Sequence, residues 1–147
     1  MIKEALHAVQ RKQTERRITN LAPIVLTSGW EQGFERGDGI FWPVDLSRGK
    51  GKLTSGSTQP WLLLGACRLL VATEQIEPAL TPSDDPELYH QELTGYKVTA
   101  IGELVCARNL LQEPSKLPAD MRHHLETVSV IHALGQALAI SHALTKP

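Results

Sequence analysis

Leu93-Thr94-Gly95-Tyr96-Lys97-Val98-Thr99-Ala100-Ile101-Gly102-Glu103-Leu104-Val105 is the stretch that decides how this chain reads. Residues 93–99 suit a strand, and Thr99 offers a side-chain oxygen to cap a helix running to about residue 112. Upstream, a strand over 75–80 is separated from it by Thr81-Pro82-Ser83-Asp84-Asp85-Pro86-Glu87, a run dense in turn formers. The two strands are therefore expected to form a hairpin. Before them, Ser55-Gly56-Ser57-Thr58-Gln59-Pro60 supplies N-cap oxygens and a proline fitted to a first helical turn, which predicts a helix over 60–73.

Helix, strand, long turn, strand and helix in that order predict a winged helix. The expected fold is mainly α with a small β-hairpin wing: a winged helix-turn-helix followed by a long C-terminal helix. At 147 residues and 41% hydrophobic content, the chain has material for one core of ordinary size. One domain over 1–147 is expected, with N-terminal helices over 1–36, a loop over 37–57, a winged-helix core over 58–112 and a C-terminal dimerisation helix over 119–145.

The N-terminal region divides at Pro23. Residues 3–21 have helical composition and carry the basic cluster Arg11, Lys12, Arg16 and Arg17, read as a solvated helix end. A second helix is expected over 23–34, with Pro23 in its first turn. Gly29 and Gly33, four apart, suit either a close helix crossing or a fraying end. The following loop is interrupted by Ile40-Phe41-Trp42-Pro43-Val44, an aromatic run that would be unfavourable in water. Phe41 and Trp42 read as core plugs. Trp30, Phe34, Phe41 and Trp42 are together the candidates to line an apolar pocket.

In the last helix, Val128-Ser129-Val130-Ile131-His132-Ala133-Leu134-Gly135-Gln136-Ala137-Leu138-Ala139-Ile140 is apolar on nearly every side. Such a helix needs cover, which a chain this small obtains most easily from a second copy or another protein domain. The expected seam is Val128, Ile131, Leu134 and Leu138, with Gly135 letting two backbones approach.

Catalytic and cofactor signals are weak. Gly51-Lys52 is followed by Leu53 where a phosphate-binding loop needs Ser or Thr, and the early glycines lack dinucleotide spacing. None of the six histidines pairs with another at the i, i+4 spacing that presents two imidazoles to one metal. Asp84-Asp85 reads as a solvated turn. No catalytic residue, cofactor or metal ligand is assigned. The separated Cys67 and Cys106, the absence of a signal-peptide pattern, and no evident run of some eighteen uncharged apolar residues predict a reduced, cytoplasmic protein with no membrane partner.

Nucleic-acid binding is weighed by charge. The formal net charge is −1, and between Glu74 and Glu103 seven acidic residues face one lysine, Lys97. A phosphate backbone with a charge every ~1.7 Å would repel such a wing. The helix over 60–73 offers base edges only one basic residue, Arg68, among Trp61, Leu62, Leu63, Leu64, Leu69, Leu70 and Val71. DNA contact would fall to Arg48, Lys50 and Lys52 and to the basic N-terminal helix.

Gly65-Ala66-Cys67-Arg68-Leu69-Leu70-Val71-Ala72-Thr73-Glu74-Gln75-Ile76, followed by Gly95 to Val105, resembles the degenerate winged helix in the N-terminal dimerisation domain of S-adenosylmethionine-dependent O-methyltransferases. In that family a leucine-rich helix precedes a wing ending in Y-x-L-T-x-x-G-x-x-L. The resemblance implies a non-catalytic dimerisation, substrate-lid or protein-interaction module. No glycine-rich strand-turn-helix for S-adenosylmethionine follows in these residues. MarR-like and PadR-like regulators close their wings with a similar Tyr, Thr and Gly pattern, which implies the alternative of a small DNA-binding transcription regulator.

Overall fold

A computed structural model describes residues 2–46, 60–80 and 94–145 of the chain. The protein is mainly helical, with a small three-stranded antiparallel sheet and a long C-terminal helix. The elements are α1 (Ile2–Arg36), β1 (Ile40–Phe41), α2 (Pro43–Leu46), α3 (Pro60–Ala72), β2 (Ile76–Leu80), β3 (Gly95–Val98), α4 (Ala100–Leu110), a 3-10 turn (Pro114–Lys116) and α5 (Ala119–Thr145). The proposed phosphate contacts Arg48, Lys50 and Lys52, the cap oxygens before Pro60 and the acidic turn over 81–87 lie outside the described residues.

The boundary expected at Pro23 does not exist: α1 is one helix of 35 residues with Pro23 inside it. A proline there removes a backbone donor and costs about 3 kcal/mol. Tertiary packing offsets this, because Ala22, Val25, Leu26, Gly29, Trp30 and Gly33 on both sides of the proline line one buried stripe. Pro23 itself faces solvent. Before it, Ile18 still packs on α3, where a Cβ on Gly65 would lie 2.7 Å from Ile18 Cδ1, and the first turns of α1 expose Ile2, Leu6 and Val9.

Two glycines of that stripe permit contacts no other residue would. A Cβ on Gly29 would lie 2.8 Å from the Phe41 ring, and one on Gly33 would lie 2.6 Å from the backbone of Gly39. The i, i+4 pair therefore marks a close approach, between α1 and the β1 segment rather than between two helices. α1 then ends on Gly37, at φ 88°, whose N–H donates to the Gly33 carbonyl at 3.1 Å.

β3 is the central strand, with β1 and β2 antiparallel on its two sides. β2 lies at an edge, which accommodates Pro78, and Glu77 sits opposite Lys97. α3 buries Leu62, Leu63, Ala66, Cys67 and Leu70. It ends on Glu74, the one described non-glycine residue at positive φ (61°), and Gln75 N–H returns to the Leu70 carbonyl at 2.8 Å.

Thr99 caps α4 as its sequence position predicts. Its Oγ1 accepts from Gly102 N–H at 3.1 Å, donates to the Glu74 carbonyl, and its own N–H donates to Gln75 O at 3.0 Å. One residue thus joins the end of α3 to the start of α4. The joint is tight: a Cβ on Gly102 would stand 2.0 Å from the Gln75 carbonyl oxygen. α5 begins against α4 with Met121 and Leu125 buried, and from residue 130 onward every described residue is exposed.

Candidate functional site: an aromatic cavity and an uncovered helix

Trp30 and Phe34, one turn apart on α1, stack with centroids 5.2 Å apart and an interplanar angle of 29°. They form one wall of an open cavity of about 480 Å³ whose rim includes Gly37, Asp38, Gly39, Lys97, Glu103 and His124. That volume is within the range of small-molecule sites.

Glu103, in the first turn of α4, organises its interior side. Its Oε2 accepts from Trp30 Nε1 at 3.1 Å and faces His124 Nε2 at 2.8 Å. The His124 ring stands edge-on to Phe34 with centroids 5.5 Å apart. One carboxylate thereby pins α1, α4 and α5 together. The His124 and Glu103 side chains are 43% and 29% exposed, so their pairing is worth no more than about 1 kcal/mol.

Asp38 works locally at the rim. It accepts from Ile40 N–H at 2.9 Å and meets Arg36 at 3.5 Å. The Ile40 hydrogen bond, with help from the Arg36 guanidinium, holds its carboxyl below the usual range. These contacts close the turn from α1 to β1.

Of the four pocket candidates, Trp30 and Phe34 line this cavity and the other two do not. Phe41 is fully buried over Gly29 in the core, and Trp42 is half-buried with the Arg36 guanidinium 4.5 Å above its ring. Both behave as packing residues. Glu103 and His124 went unnoticed in the sequence because 21 residues separate them, and Trp30 lies 73 residues from Glu103. No local spacing signals such a cluster.

Among the described residues no three His, Cys, Asp or Glu side chains converge as a metal would require. The two thiols are fully buried. Burial pushes Cys67 up to about 12 and raises Cys106, with the charges of Glu103 and Glu31 adding to the latter. Both stay protonated and poorly nucleophilic near neutral pH.

The expected seam residues lie on the part of α5 that leaves the body. Ile131, Leu134 and Leu138 are 64%, 58% and 70% exposed, and a Cβ on Gly135 would meet nothing within 4 Å. Val128 departs from the group, being half-buried against its own chain. Contrary to the sequence expectation, α5 is long and apolar enough by length and composition to cross a membrane, with a mean hydropathy of 1.3 over eighteen residues. On α3 the outward face presents Trp61, Arg68, Val71 and Ala72, with Leu64 half-buried beside them. No protein-family model, curated protein or solved structure matches this chain.

Proposed function

We propose that this chain is a winged-helix domain whose work is contact with a protein surface, a non-catalytic dimerisation or lid module of the kind found N-terminal to O-methyltransferase catalytic domains. The connectivity supports the fold: β1 precedes α2 and α3, β2 and β3 follow, and β3 lies between β1 and β2. α3 then occupies the position of a recognition helix.

The observation that carries the reading is the outward face of that helix. A base-reading helix presents Arg, Lys, Asn, Gln, Ser or Thr to the groove. α3 presents Trp61, Leu64 and Val71, with Arg68 as its single charged member. Trp61 is 49% exposed, a large amphipathic surface of the kind that anchors protein interfaces. The Trp30–Phe34 cavity, between α1 and the α4–α5 corner, offers an apolar wall to whatever such a lid would cover.

The experiment is fluorescence anisotropy of the purified chain against mixed-sequence duplex DNA at low and moderate salt. No binding at low salt is the expected outcome. Salt-sensitive binding that weakens when Arg48, Lys50 and Lys52 are replaced, with the log–log slope falling by about 0.9 per lost contact, would replace this reading with that of a transcription regulator.

A further inference from the structure

We infer that the surface covering α5 is α5 of a second copy of this chain, and that the two helices meet along a face opposite the one α5 packs on its own body. This deepens the interaction-module reading by naming the partner.

Residues advance by about 100° around a helix. Met121 and Leu125, both buried, and half-buried Val128 lie within about 60° of one another and define the side turned toward the body. The same side continues along the exposed part as His132, Gln136, Ala139 and Ala143, with no large apolar residue. Away from that side lie Val130, Leu134, Leu138 and Leu144, with Ile131 and Ile140 at the two edges of the outward half-cylinder; the six are 58–80% exposed.

That outward half-cylinder changes character along the helix. Beside the body it carries Asp120, Arg122, His123 and Glu126, all exposed, with Arg122 and Glu126 paired at 3.8 Å. Beyond residue 128 it carries the six aliphatic side chains. The inversion places apolar surface where this chain's own α1 and α4 do not reach.

The six residues together hold roughly 600–700 Å² of solvent-exposed surface, above what most soluble monomers leave in one patch. It approaches the ~800 Å² that each partner contributes to a stable interface. An isologous pairing presents the same patch from both copies, so one such helix is sufficient for both sides of the seam. A helix spanning lipid would instead carry His132, Gln136 and His142 into hydrocarbon, at several kcal/mol for unpaired polar groups. The one-sided pattern suits a helix partner.

The test is the mass of the full chain in detergent-free buffer by light scattering, together with cysteine crosslinking. Twice the chain mass of 16.2 kDa is expected for the native sequence, 16.2 kDa for Leu134→Asp, and the doubled mass again for Gln136→Asp on the other side of the helix. Circular dichroism of Leu134→Asp checks that its fold is kept.

Because Cys67 and Cys106 are fully buried, an introduced cysteine is the reactive thiol in the folded protein. Leu134→Cys should give a disulfide-linked dimer on mild oxidation, and Gln136→Cys should not; this arm stands even if the aspartate variant fails to fold. A native monomer, an undiminished dimer of folded Leu134→Asp, or equal crosslinking at both positions would overturn self-pairing. Flotation of a monomer with anionic phospholipid vesicles would assign the face to lipid instead. Neither result touches the DNA measurement, which tests the module reading separately.

Discussion

Replacing Gly102 with alanine should destabilise the fold even though alanine is the better helix former. An added Cβ would lie 2.0 Å from the Gln75 carbonyl oxygen and 2.6 Å from Val98 Cγ1. The carbonyl is backbone and itself accepts from Thr99 N–H at 3.0 Å, so it has no rotamer with which to yield. Relief requires α4 to move away by about 1 Å, which strains the packing by roughly 1–3 kcal/mol. The movement also stretches the Gly102 N–H to Thr99 Oγ1 hydrogen bond, a cap worth about 1 kcal/mol. Against this, the propensity gain of alanine is at most about 1 kcal/mol. The net expectation is a loss of about 1–3 kcal/mol, or roughly 3–12 °C in Tm for a chain of this length. Urea unfolding followed by circular dichroism reads it as a lower midpoint with an unchanged slope. Gly135→Ala, where a Cβ meets open space, is the matched control and should leave the midpoint equal or higher. An unchanged or raised midpoint for Gly102→Ala would refute the steric account of the α3–α4 joint.

Glu74→Gly should stabilise by about 1 kcal/mol, since Glu74 is held at φ 61° and glycine relieves that conformation; a lower urea midpoint would contradict it. Trp30→Phe removes the donor to Glu103 while keeping an aromatic ring, so a loss of about 1 kcal/mol is expected in the same urea assay; an unchanged midpoint would show that the bond contributes nothing. The thiols give stability a pH dependence. Cys67 is raised to about 12 when folded, against about 8.5 for a free thiol, so its contribution is complete below about pH 8.5 and is lost as pH rises toward 12. The unfolding midpoint should fall over that window, less steeply in Cys67→Ala, and parallel curves for the two proteins would count against the assignment.

The sequence by itself determined the features whose causes are local. The cap at Thr99 depends on one side chain and the N–H three residues on, the start of α3 on Pro60, and the pairing of β2 with β3 on two short runs of strand formers; all appear where the residues place them. The apolar helical run after residue 128 was legible for the same reason, since it is a property of consecutive side chains, whereas its exposure on this chain was not. Tertiary structure alone decided what depends on distant neighbours. It carried α1 through Pro23, because a buried stripe from Ala22 to Gly33 outweighs one lost hydrogen bond. It drew Phe41 into the notch at Gly29 and out of the cavity, and joined Trp30, Glu103 and His124 across 73 and 21 residues. It also fixed which side of α5 faces the body. A helical pattern gives the angles between side chains, but the zero of that angle is set by what the helix packs against.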